Sequence, residues 1–340
     1  MTKYTLPPMR PERVVCPNSA CDASGRIGVH SHKERRYICH GCKRTFAATT
    51  GTPLYRLKQP LDLVLLVVTL LAYGCPIPAL VAAFGLDERT IASWQRKAGQ
   101  HAKRVQEHVV CQGSVDLGQV QADELYTKTQ AGPVWIATAM TVFSRLWLWG
   151  TIGWERDMAL IQPVIEHSRA AAQPERPLLF AVDGFKAYVS CILKVFRDPQ
   201  RSGKRGRPKL VVWDDLHIVQ VVKQRVGRRL VSITRQLAHG QVGRAEAIMQ
   251  ETQVELGRIN TAYIERLNAT LRTWMPALVR RTRTPAGARE HLEAALFWTG
   301  CVYNFCHVHA TLAGTPAMAA DLTDHVWSID ELIRYRCQRE

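Results

Sequence analysis

Uncharged residues dominate one early segment of the chain, and the way they are interrupted predicts helices rather than a membrane span. Residues 63–86 carry no charge over 24 positions, but the uninterrupted apolar part, residues 63–73, is only 11 residues long. A spanning helix needs about 20 apolar residues. Gly74, Pro76 and Pro78 break the run, and such residues end helices or start turns. We therefore expect a buried helix, a turn and a second helix, and no membrane span.

The next segment has the layout of a helix-turn-helix. A short helix is predicted over residues 76–84, a turn at Gly85–Asp87 and a second helix over residues 88–99. In this motif the second helix presents its first residues to base edges in the major groove. A plain helical hairpin would show the same pattern. The candidate DNA-binding residues on the second helix are Arg89, Ser93, Gln95, Arg96 and Lys97, with Ile91 and Trp94 facing inward.

From about residue 115 the periodicity becomes that of strands. Three β-rich runs are predicted at 120–127, 134–143 and 146–153, followed by a helix at 157–172 and a buried strand at 177–182. The order βββαβ is that of a ribonuclease H-like domain, a mixed five-stranded sheet with helices. The chain is therefore predicted to be a multidomain α/β protein.

Three acids stand where this order would bring them together. Asp123 lies within the first strand, Asp183 ends the fourth, and Glu265 lies on a later helix over residues 260–272. Carboxylates from different elements are the ligands that pairs of divalent ions use in phosphodiester chemistry. Glu124 is expected to point away from this site, because successive strand side chains face opposite sides.

The charge adds a partner class to this picture. The 340 residues include 45 Lys and Arg against 29 Asp and Glu, a net charge of +16, and 46% of them are hydrophobic. Such a composition excludes a disordered chain and a disulfide-stapled small domain. It indicates a polyanionic partner, and nucleic acid is the simplest. Ribosomal and membrane-surface proteins share this charge.

Four of the ten cysteines are clustered near the N-terminus. Cys16 and Cys21 are followed by Cys39 and Cys42, and two such pairs around a hairpin are typical of a zinc ribbon. The predicted site holds one structural Zn²⁺ through four thiolates. The other six cysteines are scattered rather than spread as the pairs of an extracellular framework, so a reducing compartment is expected. Residues 1–13 contain no apolar stretch, so no signal peptide is expected.

Several segments resemble the motifs of bacterial DDE transposases, most closely the insertion-sequence-one-like group. They are QADELY at 121–126, VDGFKAY at 182–188 and NTAYIERLN at 260–268. CHGCKRTF at 39–46 with TGTP at 50–53 is similar to the N-terminal module of such enzymes. YNFCHVHATL at 303–312 with TPA at 315–317 is similar to the closing helix and tail of many of them.

The resemblance implies an enzyme that binds transposon ends, cleaves phosphodiesters and joins the freed 3′-hydroxyl to target DNA. It implies two Mg²⁺ or Mn²⁺ ions at Asp123, Asp183 and Glu265, and contact of Arg272 with DNA phosphate. The expected partners are double-stranded DNA and further copies of the chain in a homodimer or higher oligomer, in the bacterial cytoplasm near the nucleoid. A nuclease of the same fold that cuts without joining and a non-catalytic DNA-binding regulator are the alternatives.

The predicted domains are a zinc ribbon at 1–55, the helix-turn-helix at 56–112, the catalytic domain at 113–275 and a helical region at 276–340. Between Asp183 and Glu265 lie 81 residues, more than in compact members of the family, so an insertion is placed at about 195–258. Residues 201–209 within it hold five basic residues in nine. Arg205 and Arg207 flank a glycine as in an AT-hook, which lies in narrow A·T minor grooves. A solvated loop that contacts phosphates is the other interpretation.

Overall fold

The computed structural model describes residues 9–18, 20–21, 26–201, 206–227, 229–252, 257–279 and 285–337. The fold is mixed α/β, with three sheets among these residues. The strands are β1 (Ile27–Ser31), β2 (Arg36–Cys39), β3 (Thr45–Ala47), β4 (Gly118–Thr129), β5 (Gly132–Thr141), β6 (Trp147–Gly153), β7 (Leu178–Val182), β8 (Arg197–Gln200), β9 (Lys209–Val212), β10 (Leu216–Val226) and β11 (Arg229–His239). The helices are α1 (Leu61–Ala72), α2 (Ile77–Phe84), α3 (Glu88–Val109), α4 (Met158–Ala171), α5 (Lys186–Val195), α6 (Val242–Thr252), α7 (Ala262–Trp274), α8 (Arg289–Cys301), α9 (Pro316–Ala319) and α10 (Ile329–Arg334).

A small antiparallel sheet of β1, β2 and β3 forms the N-terminal unit. Its own apolar cluster is small and includes Tyr37 and Phe46, whose ring centroids lie 5.8 Å apart, together with Cys16 and Cys39. The hairpin of β1 and β2 separates the two cysteine pairs, as the spacing predicts.

The central sheet has the strand order β11-β10-β7-β4-β5-β6. β4, β7 and β10 are parallel to one another, and β5, β6 and β11 are antiparallel to their neighbours. β7 is buried at every position, as an apolar run in the middle of a sheet requires. Tight turns join β4 to β5 and β5 to β6, so these strands pair antiparallel.

The sheet has six strands within the described residues, whereas the sequence predicts five. The extra strand, β11, is the second arm of a hairpin that β10 begins. Every residue of β11 is exposed or half-buried. Its sequence therefore lacks the alternation of buried and exposed positions that would predict a strand of the central sheet. The segment between β7 and α7 also forms the short hairpin of β8 and β9 and the helix α6.

The predicted pair of helices after α1 is present, with a longer second helix. α2 ends at Gly85, which has the left-handed φ of 62°, and Asp87 caps α3 by accepting hydrogen bonds from the N–H groups of Arg89 and Thr90. α3 then continues to Val109 because its later residues, including Ala98, Ala102 and Val105, are buried in the main core.

The main core runs from Leu54 to Ile333 as one cluster that includes residues of α1, α3, α8 and the central sheet. Gln106 of α3 is fully buried and donates hydrogen bonds of 2.9 Å to the carbonyl oxygens of Trp147 and Leu148 on β6. α3 is thereby fixed to the edge of the sheet. Among the residues that the structure describes, no helix has both the length and the apolar character needed to cross a membrane.

Candidate functional site

Acidic residues meet at one edge of the central sheet. The parallel pairing of β4 and β7 ends with Ala122 opposite Val182, so Asp123 and Asp183 are the next residues on two adjacent strands. One carboxylate oxygen from each of Asp123, Glu124 and Asp183 lies within 4.8 Å of the others. Carboxylate oxygens are hard ligands of the kind that Mg²⁺ and Mn²⁺ prefer, so the group is compatible with a divalent metal.

The sequence expectation for Glu124 is wrong. Strand alternation places Asp123 and Glu124 on opposite faces, but Asp183 lies beyond the last residue of β7 and is not confined to either face. The longer Glu124 side chain reaches Asp183 just beyond the carboxyl end of β7. Its side chain is only 1% exposed, and its Oε1 atom has no hydrogen-bond partner within the described ranges.

A basic side chain links two of these acids. The same terminal nitrogen of Arg156 lies 3.0 Å from Glu124 Oε2 and 2.6 Å from Asp183 Oδ2. The guanidinium also lies 4.4 Å from the ring centroid of Phe185 and 5.6 Å from that of Trp135. Arg156 precedes α4 and was not predicted, because no spacing rule connects the start of α4 with the ends of β4 and β7.

Burial weakens the acidity of two carboxyl groups, those of Asp123 and Glu124. Burial, together with the charges of Asp183 and Glu265, raises the pKa of Asp123 to about 6, while hydrogen bonds from the Glu124 backbone and from Asn268 oppose the change. Burial also raises the pKa of Glu124 to about 7, against the lowering effect of Arg156. The pKa of Tyr188 is raised by complete burial and by the same carboxylates. Its hydroxyl has no hydrogen-bond partner in the part of the chain that is described.

Glu265 lies beside this group rather than within it. Its carboxylate accepts a 2.7 Å hydrogen bond from the Thr261 hydroxyl and forms an ion pair with Lys223 of β10. The Glu265 side chain is 48% exposed, and its charge contributes to the raised pKa of Asp123. The structure thus brings Asp123 and Asp183 together and places Glu265 at the rim of the group.

The helix that carries Glu265 is fixed to the strand that carries Asp123. Gln121 is fully buried, and its side-chain oxygen accepts hydrogen bonds of 3.0 Å from the N–H groups of Tyr263 and Ile264. Its amide nitrogen donates to the carbonyl oxygen of Asn260 at 2.6 Å. The start of α7 is therefore capped by a residue of β4. Of the two polar residues before α7, Asn260 and Thr261, only Asn260 bonds a backbone N–H of the first turn, that of Ala262.

One turn further along α7, Asn268 contacts the acid directly. Its amide nitrogen donates a 2.9 Å hydrogen bond to Asp123 Oδ2, and its oxygen accepts one of 3.3 Å from the Thr138 hydroxyl on β5. Thr138 and Asn268 are buried, and their two hydrogen bonds hold Asp123 Oδ2 in place. Glu265 and Asn268 are three residues apart, so they lie on the same side of α7. This spacing is visible in the sequence.

The four N-terminal cysteines form a second cluster. Their sulfur atoms all lie within 4.8 Å of one another, with 3.6 Å between Cys16 and Cys42 and 3.8 Å between Cys21 and Cys39. A tetrahedral ion bonded to sulfur at about 2.3 Å requires sulfur atoms about 3.8 Å apart. All four are free thiols, so the cluster fits a zinc-type metal ion.

Two of the four thiols have pKa values that are shifted in opposite directions. The pKa of Cys42 is lowered to about 6, chiefly by a hydrogen bond from the backbone at Arg44. Burial instead raises the pKa of Cys16 to about 12. A buried thiol ionises readily only when a cation offsets the lost hydration, so Cys16 needs the metal more than Cys42 does.

The residues predicted to read DNA lie on the first half of α3. Arg89 and Arg96 are exposed, while Ser93, Gln95 and Lys97 are half-buried; Ile91 and Trp94 are buried as predicted. Arg89, Gln95 and Arg96 line a cavity of about 570 Å³ whose other wall includes Trp274 and His291.

The remaining predicted contacts are spread over other elements. Arg207 is exposed just before β9, and Arg205 lies outside the described residues. Arg272 is half-buried in the last turn of α7. These residues are therefore not gathered into one site by the described structure.

No model of a protein family matches this chain, and no curated protein matches it either.

Proposed function

We propose that the protein is a DNA transposase that binds transposon ends, cleaves phosphodiester bonds there and transfers the ends into target DNA. The observation that carries the proposal is the meeting of Asp123 and Asp183 at the carboxyl edge of the parallel strands β4 and β7. The order of β6, β5, β4, β7 and β10 supports a ribonuclease H-like catalytic core. The motif resemblance and the net charge of +16 point to DNA as the substrate.

Two Mg²⁺ or Mn²⁺ ions would be held by Asp123, Asp183 and Glu265. The donor set is hard oxygen, and the buried, unpartnered Oε1 atom of Glu124 adds a further donor beside it. Bound there, divalent ions supply the positive charge that stabilises the phosphoryl group during an in-line displacement. One Zn²⁺ at the four cysteines would have a structural role.

The surrounding residues prepare the acids for this task. Asn268 holds one oxygen of Asp123, Oδ2, in place through its hydrogen bond. Gln121 fixes the start of α7, and with it the position of Glu265 relative to β4. Arg156 and Lys223 balance the negative charge of Asp183 and Glu265. These ion pairs must weaken when divalent ions bind, because the same carboxylate oxygens cannot bind a metal ion and also pair fully with Arg156 or Lys223.

The test uses the full chain with transposon-end DNA and Mg²⁺. Asp123→Asn, Asp183→Asn and Glu265→Gln are each expected to abolish cleavage while DNA binding survives, because each removes one ligand charge from a folded sheet. Glu290→Gln is the matched control, since Glu290 is 68% exposed on α8. Cleavage by any of the three variants at close to the wild-type rate would remove that residue from the proposed site.

A second arm separates the related functions. Pre-cleaved ends are supplied with target DNA, and joined products are measured. Joining supports a transposase. Cleavage without joining indicates a nuclease of the same fold, and specific binding without either reaction indicates a regulator.

A further inference from the structure

The turn between β5 and β6 carries Phe143 and Arg145 on a backbone that is held by hydrogen bonds. Thr141 and Leu146 close the turn through a 3.0 Å backbone hydrogen bond, and the Val142 N–H donates to the Gln119 carbonyl oxygen at 2.7 Å. Phe143 is 58% exposed at its tip. Two residues later, Arg145 takes a left-handed backbone conformation with a φ of 59°, which is uncommon for a residue other than glycine.

Arg145 is a half-buried cation that meets no balancing acid among the described residues. Its guanidinium lies 4.0 Å from the ring centroid of Tyr263, at the start of α7. Burial lowers its pKa, which means that its charge has lost hydration. None of the ion pairs within the described residues includes Arg145. A charge that is partly desolvated and unpaired costs folding free energy, so an anionic ligand would recover some of it.

The groups around Arg145 are also basic. Arg266 lies 5.5 Å from the same Tyr263 ring. The pKa of His309 is lowered by burial and further by the charges of Arg145 and His307. These histidines therefore remain neutral near pH 7 and offer N–H donors rather than charge. The carboxylate of Glu265 belongs to the same helix but is engaged by Thr261 and Lys223.

We propose that Arg145, with Arg266 beside the same Tyr263 ring and the neighbouring His309, binds a phosphodiester of the DNA backbone beside the acidic site. The inference rests on the proposed function and adds a substrate contact to it. Tyr263 and Arg266 flank Glu265 on α7, so this phosphate site lies within about one helical turn, roughly 5 Å, of Glu265 along the helix axis. The exposed Phe143 favours DNA over a small anion, because an aromatic ring beside basic groups suits a nucleic acid strand.

The test measures DNA affinity against salt concentration with the full chain and a fluorescently labelled duplex. Arg145→Asn removes the charge, and Asn tolerates the left-handed backbone better than most residues. Arg145→Lys keeps the charge. Arg176→Asn is the matched control, since it loses the same charge at an exposed site where Arg176 is already paired with Asp116.

Each contact with a phosphate contributes about 0.9 to the slope of log affinity against log salt, which is roughly eightfold in affinity at 0.1 M salt. Arg145→Asn is expected to lose that slope and affinity, whereas Arg145→Lys and Arg176→Asn keep the slope. Thermal unfolding reports the loss of the Tyr263 contact separately, since Arg145→Asn removes the guanidinium from that ring without breaking an ion pair.

Equal slopes for Arg145→Asn and Arg176→Asn would overturn the proposal, as would a less stable Arg145→Asn variant with unchanged DNA affinity. The second result would assign Arg145 to packing on Tyr263. If the wild type cleaves DNA while Arg145→Asn binds with an unchanged slope, only this site fails. If the wild type binds no DNA at any salt concentration, the proposed function fails as well.

Discussion

Replacing Glu124 with Gln should make the metal-free protein more stable and weaken its response to Mg²⁺. The carboxylate is 1% exposed, one of its oxygens has no hydrogen-bond partner within the described residues, and burial raises its pKa from 4.5 to about 7. Gln has the shape of the protonated acid and no charge. The substitution therefore removes the cost of ionising a buried group.

The magnitude follows from the pKa. The folded state binds the proton more tightly than the unfolded state, so the stability associated with Glu124 is fully present below pH 4.5 and is lost as the pH rises to about 7. At about 1.4 kcal/mol for each pH unit, the loss is about 3 kcal/mol above pH 7. This figure already includes the favourable contact with Arg156, because that contact lowers the same pKa.

The assay is urea unfolding with a chelator, above pH 7 and again below pH 4.5. At the higher pH, Glu124→Gln should unfold with a free energy up to about 3 kcal/mol larger than the wild type, and at the lower pH the two should agree. Adding Mg²⁺ should stabilise the wild type more than the variant, since a bound ligand adds stability according to its affinity.

Glu290→Gln is the control and should change stability by no more than about 0.5 kcal/mol at either pH. A Glu124→Gln variant that is less stable than the wild type above pH 7 without metal would refute the reasoning. It would show that the carboxylate is stabilising where it lies.

Three further outcomes are expected. Purified protein should contain one zinc ion per chain by elemental analysis. Cys39→Ser should lose the zinc, whereas the control Cys75→Ser should keep it. A full equivalent of zinc in Cys39→Ser would reject the site. Gln121→Leu should cost about 1–2 kcal/mol of stability through the lost cap and slow cleavage without changing the zinc content; an unchanged rate would show that the cap does not position Glu265. Replacing Arg205 and Arg207 with Ala should reduce the preference for A·T-rich over G·C-rich DNA about tenfold if they form an AT-hook, whereas equal losses on both duplexes would leave only phosphate contacts.

Much of the fold could be predicted from local patterns. The alternation of β4, β5 and β6, the apolar run of β7 and the periodicity of α7 each appear in consecutive residues, because one exposed and one buried face impose a period of two or 3.6. The four cysteines are equally visible, since metal ligands come in short spaced pairs. Helix ends were less well predicted: α3 continues to Val109 because it packs in the main core.

The acidic edge shows where local patterns stop. Asp123 and Asp183 could be placed together from strand order alone. Glu124 was excluded by strand alternation. That rule holds where both strands are paired, but Asp183 follows the end of β7 and is reached by Glu124 as well.

The sequence by itself determined strands β4 to β7, helix α7, the four clustered cysteines and the two aspartates, since each depends on residues that are neighbours in the chain or on the order of strands. Only the tertiary structure decided which groups surround the acids. Gln121 caps a helix 142 residues away, and Arg156 reaches Asp183 across 27 residues. Lys223 meets Glu265 across 42 residues. Such pairs have no period, because they form where packing of separate elements brings a donor or a charge to a buried partner that must be satisfied.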